Sequence, residues 1–315
     1  MVNREAGERG FCGETAELRL ASASIHRGEE PPITGRGGSG TIFVSGCNLG
    51  CVFCQNYQIS RGNPLSAEGR ILPGAMGRPV ETGEFVRICL ALQEQGAENI
   101  NMVTGSHAAP ALAAGLDAAF RAGLTIPALW NSSAYERPEA LEPLRGRIRG
   151  WLPDLKTLDR DVAARFFHAP DYPEAAPAAI LRMLDIFAGT PGRQAQGMAD
   201  APEGVFIIRH LVLPGYLEST RGVLRWFAEH AAGRARISLM TQYTPVGQGD
   251  IPGRYVNQAE YETVLKWLEE FDIEDGFYQE LVPGSDWLPD FTRQNPFLSG
   301  LSTPVWHWTE GFCGV

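Results

Sequence analysis

Cys47, Cys51 and Cys54 stand in one short stretch, SGCNLGCVFCQNY, with the spacing C-x3-C-x2-C. They directly follow a short apolar run, Thr41–Val44, that predicts a strand. Three thiolates on one turn can hold three corners of an iron–sulfur cube, which leaves the fourth iron open to bind and reduce a ligand. A structural site would close its shell with a fourth residue, so an open position suggests chemistry. Zinc is a competing reading, but it wants a fourth Cys or His at finger-like spacing, and none closely follows Cys54. Buried, inert thiols are the other alternative.

The loop resembles the cluster loop of the radical S-adenosylmethionine (radical SAM) superfamily, in which an aromatic such as Phe53 commonly precedes the last cysteine. The surrounding HRGEEPPITGRGGSGTIFVSGCNLGCVFCQNYQIS is similar to a largely uncharacterised branch related to pyruvate formate-lyase activating enzyme. That similarity runs through Val212-Leu213-Pro214-Gly215 and fades after about Gln279. The resemblance implies a [4Fe-4S] cluster on Cys47, Cys51 and Cys54, whose open iron chelates the amino acid end of S-adenosylmethionine. It further implies reductive cleavage of that cofactor to a 5′-deoxyadenosyl radical, driven by an outside electron donor such as flavodoxin or ferredoxin. Activating enzymes act on a glycine of a partner enzyme, so a protein substrate is implied as well. The alternative from another class is an iron–sulfur electron-transfer or redox-sensing protein that never cleaves the cofactor.

Apolar runs alternate with amphipathic stretches along the chain. Strands are expected at Thr41–Val44, Asn99–Val103, Ile126–Trp130, Gly150–Pro153, Val205–Val212 and Arg236–Met240. Helices are expected at Thr82–Gln95, Pro110–Arg121, Asp159–Phe167, Pro177–Phe187, Ser219–Ala231 and Gln258–Glu270. Repeated strand–helix units with continuous apolar strands predict an α/β fold, a partial (β/α)6 barrel of parallel strands. The expected organisation is a lead-in over residues 1–40, the barrel over 41–275, and an irregular Trp-rich extension over 276–315 packed on the barrel. The extension carries Trp287, Trp306 and Trp308, several prolines and almost no periodicity, and the competing reading is a frayed terminus. Residues 189–203, polar and rich in Gly, Pro and Gln, read as a surface loop.

A parallel barrel binds ligands at the C-terminal ends of its strands. After the second strand stand Thr104, Ser106 and His107, where radical SAM enzymes usually carry a Gly-Gly-Glu element for the methionine amino group. No glutamate stands there, so His107 or the Thr104 and Ser106 hydroxyls are candidates to replace it; a helix-capping turn is the plainer reading. Asn131 and Ser132, followed by Ser133, occupy the place where activating enzymes use Asp-Thr beside the cofactor. Asp154 and Lys156 match the Asp-x-Lys motif that engages the methionine end in that family, and residues two apart on a strand share a face. A surface ion pair is the alternative there. Arg209, followed by apolar residues and Pro-Gly, matches the arginine that reaches the cofactor carboxylate. An arginine inside an apolar strand is costly unless paired, so a buried partner is expected in any case.

The glycine run Gly35–Gly40 precedes a strand and opens no helix, which removes the context that a dinucleotide fingerprint requires. Glu29-Glu30-Pro31-Pro32 reads as a rigid, exposed turn and His26 as a satisfied surface histidine. Cys12 and Cys313 stand alone, and Cys89 falls on the apolar face of a helix. A net charge of −10 and a pI near 5.2 argue against a nucleic-acid surface. No run of apolar residues is long enough to span a membrane, and the first residues lack a signal peptide's apolar core, so a cytoplasmic location is expected.

Overall fold

The computed structural model describes residues 2–60, 76–190, 204–246, 251–281, 284–285 and 287–314. Its strands are β1 (Arg19–His26), β2 (Ser39–Val44), β3 (Arg78–Pro79), β4 (Ile100–Val103), β5 (Ala128–Ser132), β6 (Ile148–Pro153), β7 (Val205–Leu211), β8 (Arg236–Met240), β9 (Gly276–Tyr278), β10 (Ser302–His307) and β11 (Gly311–Phe312). The α-helices are α1 (Pro31–Thr34), α2 (Tyr57–Ser60), α3 (Thr82–Glu94), α4 (Ala109–Arg121), α5 (Arg160–Phe167), α6 (Tyr172–Ala188), α7 (Leu217–His230) and α8 (Gln258–Glu270). All eleven strands of the described residues belong to one sheet system in the order β11-β10-β1-β2-β4-β5-β6-β7-β8-β9, with β3 pairing to β1. Strands β2 and β4 to β9 run parallel, neighbour to neighbour, whereas β1 is antiparallel to both β2 and β10. This is the partial α/β barrel expected from the strand–helix alternation.

The strands are buried on both faces, as a parallel sheet covered by helices requires: every residue of β2 and of β6 is buried. Alternate residues separate the two faces. Ile42, Met102, Trp130 and Trp151 join the core beneath the helices, where Phe85, Ile88 and Leu92 of α3 also pack. Leu129, Leu152, Val205 and Ile207 point the other way and meet Ile33 of α1 inside the barrel. That short helix closes the floor, tied there by Asn99, whose side-chain amide donates to the Ile33 carbonyl at 2.7 Å.

Two expectations are corrected here. Glu29 and Glu30 are not an exposed turn; both are partly buried, and Pro31 and Pro32 open α1 with proline at its first positions, where a missing N–H costs nothing. The stretch after residue 275 is also more ordered than its aperiodic sequence implied. It supplies β9 at one end of the sheet and β10 and β11 at the other. Short strands paired at an edge need few residues and leave little alternation to detect. The connection between those ends packs Phe291 and Phe297 against Phe43, Ala21 and Ile59 on the inner side of the sheet.

Helix boundaries shift by a few residues. Helix α6 begins at Tyr172 rather than Pro177, with Pro173 in its first turn and Pro177 tolerated inside. Helix α8 keeps its expected bounds, set by a capping box in which Asn257 accepts the Glu260 N–H and Glu260 accepts the Asn257 N–H. In the glycine run, a Cβ on Gly37 would fall 1.9 Å from the Gly96 carbonyl oxygen and one on Gly40 2.5 Å from that of Asn99. The glycines there serve close backbone packing. The expected loop at 189–203 lies outside the described residues from 191 onward.

Candidate functional site

The cysteine loop leaves the C-terminal end of β2 through Ser45 and Gly46. Gly46 has φ +85, and a Cβ there would meet Glu14 Cγ at 2.5 Å and His107 Nε2 at 3.2 Å. The turn is therefore reserved for glycine. Cys47 is buried and Cys51 and Cys54 are partly so. Local hydrogen bonds shape the loop: the Leu49 N–H donates to Cys47 Sγ at 3.4 Å, and the Cys54 N–H donates to the Cys51 carbonyl at 3.2 Å. Burial, and then the neighbouring Cys47 thiol, push the Cys54 thiol up. The Cys51 thiol is also raised, by burial first, with Lys156 opposing and Cys54 and Cys47 adding. The three sulfurs thus act on one another, and a positive charge stands beside them.

Among the described residues no set of three His, Cys, Asp or Glu side chains converges on one metal position. The loop supplies soft donors in the right order, together with an N–H directed at one sulfur, and this donor set fits an iron–sulfur cluster. Cluster binding has to displace the thiol protons and draw the sulfurs together.

Phe53 turns inward and holds the loop to the barrel rim. Its ring lies edge-on to Phe166, Phe167 and Tyr243 at 5.9, 5.8 and 5.3 Å. The Val52 N–H donates to the Phe166 carbonyl at 2.9 Å, so α5 and the loop are fixed together. Tyr243 is wholly buried in this aromatic group.

Asp154 and Lys156 stand at the end of β6 and pair at 2.7 Å. Burial alone would drive the Lys156 ammonium down, but Asp154 and then the Cys51 thiol outweigh it, and its pKa rises. Lys156 is therefore charged, and it links the strand edge electrically to the cysteine loop. A residue not legible in the sequence sets this edge. The Tyr172 hydroxyl accepts the Lys156 N–H and shares its proton with the carbonyls of Asp154 and Ser133, at 2.8 and 2.9 Å.

The edges of β4 and β5 divide the other candidates between two faces. Asn131 follows Leu129 on the inner face, and its carbonyl accepts the Thr104 N–H at 2.9 Å. Thr104 adopts φ 63, an uncommon backbone for a non-glycine residue. Ser132 faces the helix layer, where its hydroxyl donates to Glu136 at 3.0 Å beside the Trp130 indole N–H, also at 3.0 Å. Burial pushes this carboxyl group up despite the two hydrogen bonds. The structure thus commits Ser132 to a buried glutamate rather than to the barrel interior, while the Ser106 hydroxyl is buried with no hydrogen-bond partner among the described residues. His107 bonds the Ser45 carbonyl through Nε2 at 2.8 Å and braces the start of the cysteine loop. Burial lowers its pKa to about 4, so the ring is neutral.

Arg209 turns toward the barrel floor. Its Nε donates to Glu30 at 2.9 Å and its Nη2 to Glu29 at 2.5 Å, with a second contact to Glu30. The buried partner that the sequence demanded is a pair of acids 179 and 180 residues upstream. Burial opposes its charge, but Glu30 and Glu29 more than restore it and the Arg209 pKa rises. His26, half-buried, stacks on Phe297 at 4.8 Å. Cys89 is wholly buried in the core, and Cys12 and Cys313 are buried as well.

No protein-family model matches the chain. It is 28% identical over 277 residues to the uncharacterized protein MJ0674 of Methanocaldococcus jannaschii, covering 87% of this chain and 73% of that one. Among solved structures it is similar to Streptococcus suis SuiB bound to S-adenosylmethionine, with a TM-score of 0.50 and 14% identity over 75% of this chain. It is equally similar to the FeFe-hydrogenase maturase HydG from Carboxydothermus hydrogenoformans, with a TM-score of 0.50 and 13% identity over 75% of this chain. The matched region spans about half of each solved chain, 48% and 52%. At this level of identity the likeness establishes the fold alone, a partial barrel shared with these two proteins. Among the described residues no helix is long and apolar enough to cross a membrane.

Proposed function

We propose that this protein is a radical SAM enzyme: an oxidoreductase of the activating-enzyme type that uses S-adenosylmethionine at a cluster on Cys47, Cys51 and Cys54. The observation that carries this reading is the placement of the Asp154–Lys156 pair at the end of a parallel barrel strand, where the Lys156 charge favours the Cys51 thiolate. An electron-transfer protein has no need of an ion pair at that edge. When bound, the cluster would supply the electron for reductive cleavage of S-adenosylmethionine, the chemistry that would start hydrogen removal from substrate. The chain's own residues bind, orient and exclude water. Cys47, Cys51 and Cys54 offer three thiolates, and the Leu49 N–H steadies the first of them. Lys156 is a cation that acts on Cys51 and Cys54 and suits the methionine carboxylate, while Asp154 suits its ammonium. Phe53, with Phe166 and Tyr243, keeps water from the loop's inner side. The electron comes from an outside donor such as flavodoxin or ferredoxin. The branch resemblance favours a glycine on a partner protein as the site of hydrogen removal.

Anaerobic reconstitution with iron and sulfide, followed by dithionite and S-adenosylmethionine, tests the reading. Release of 5′-deoxyadenosine and methionine is expected, even if slow without substrate. An intact, reduced cluster that releases neither would overturn it in favour of electron transfer.

A further inference from the structure

Beneath the Asp154–Lys156 edge the barrel interior holds charge that cofactor binding does not use. Glu29 and Glu30 enter from the segment between β1 and α1 and share one guanidinium, that of Arg209, which leaves one negative charge in excess. Lys156 cannot offset it, because it is matched by Asp154. His26, next to this group and stacked on Phe297, is held neutral, its pKa lowered by burial. An uncompensated charge inside a barrel is costly unless a partner completes it. Glu29 is open to one, since 13% of its side chain stays accessible.

A second observation at the same place points to a ligand. Asn101, on the inner face of β4, donates from Nδ2 to Glu29 Oε1 at 3.2 Å. The residue is wholly buried, yet its Oδ1 has no hydrogen-bond partner among the described residues. Flipping the amide offers no remedy, because it would set oxygen against the carboxylate. A bare amide oxygen beside a carboxylate in negative excess calls for a group rich in N–H donors and positively charged.

The wall beside this group limits what can carry such a head. Phe291, wholly buried, and Phe297 pack on Phe43 at 5.2 and 5.4 Å, on the inner side of the sheet. Gln58 of α2 fixes that wall, accepting the Phe291 N–H at 2.8 Å and donating to Asp290 at 3.2 Å. A segment of a folded protein would need this wall open, whereas a small molecule would not.

We propose that Glu29 and Asn101 bind the ammonium or guanidinium head of a small-molecule substrate inside the barrel. The proposal rests on the radical SAM reading for the reaction, and it replaces the partner-protein substrate that the branch resemblance favours. The test uses n-butylamine, n-butylguanidine and 1-butanol as probes, titrated into the reconstituted full-length protein by ligand-detected NMR. Both cations are expected to bind, with 1-butanol at least tenfold weaker. Glu29→Gln, which keeps the Glu30–Arg209 pair, is expected to weaken both cations tenfold or more. If that variant does not fold, Asn101→Ala, which leaves the three charges in place, is expected to weaken them at least threefold. Equal binding of amine and alcohol by the wild type, or unchanged cation affinity in the folded variant, overturns the proposal. Cation binding without 5′-deoxyadenosine release would defeat only the radical SAM reading, and release without cation binding only this one.

Discussion

Tyr172 carries its hydroxyl to the backbone N–H of Lys156 at 3.1 Å, from the first turn of a helix 16 residues further along the chain. The same oxygen reaches the carbonyls of Ser133 and Asp154, so one side chain clamps the ends of β5 and β6. Tyr172→Phe keeps the packing and strips the clamp, leaving buried backbone groups unpaired. A loss of about 1–3 kcal/mol in urea-unfolding stability is expected. Weaker S-adenosylmethionine binding should accompany it, because the Asp154–Lys156 edge loses its support, while iron content stays unchanged.

The cysteines divide into two groups. Cys47→Ala, Cys51→Ala and Cys54→Ala should each abolish the reconstituted cluster's iron content and visible absorbance. Cys89→Ala and Cys313→Ala should retain both, because these thiols are buried away from the loop. Full iron in the triple variant would place the metal elsewhere.

Lys156 and Arg209 are expected to part company. Lys156→Met should weaken S-adenosylmethionine binding about tenfold or more without loss of iron, by removal of the cation beside Cys51. Arg209→Lys should act more mildly on cofactor affinity, since Glu29 and Glu30 already take up its charge. Titrating the cofactor against the cluster's electron paramagnetic resonance signal ranks the two. A larger loss in the Arg209 variant would reverse the assignment.

A neutral histidine in the core gives a pH signature. His210 is buried, with Nδ1 2.7 Å from the Leu155 carbonyl and Nε2 2.9 Å from the Thr220 hydroxyl. Burial lowers its pKa to about 4 from the ordinary 6.5, with the Leu155 carbonyl opposing and Lys156 adding. The unfolded chain therefore takes up the proton first as pH falls. Stability is full above about pH 6.5 and declines toward pH 4, by on the order of 3 kcal/mol from this residue. His107 adds in the same direction. Urea unfolding from pH 7 to pH 4 should show the decline, and His210→Gln should flatten it while lowering stability throughout. An unchanged slope would show that His210 does not titrate in this range.

Much of the barrel was legible because long apolar runs and 3.6-residue periodicity report burial directly. Thr41–Val44 and Arg236–Met240 fall within or on the observed strands for that reason. Strand β9, three residues long, and β11, two residues long, carry too few side chains for any period to register. The site divided along the same line. The cysteine spacing and Asp-x-Lys are local patterns, and of these the structure shows Asp154 paired with Lys156. The Arg209 partners lie 179 and 180 residues away, and a strand can state that its arginine needs a buried acid without saying which one. Tyr172 and Glu136 were silent because a lone tyrosine at a helix start and a glutamate in a loop have ordinary surface roles. Ser132 was misleading in another way, since the period of two sends it to the face opposite Asn131.

Both ends of the sheet are finished by chain that follows residue 275, one by β9 and the other by β10 and β11. On a ribosome, β2 and β4 to β8 emerge and can associate well before residues 288–301 arrive to pack Phe291 on Phe43. During that interval the side of the nascent barrel stands open and Phe43 remains wet. Pairings over such sequence separations form late, because their loop entropy is paid before their contacts reward it. The protein thus has a built-in delay between making its cysteine loop and shutting the wall beside it.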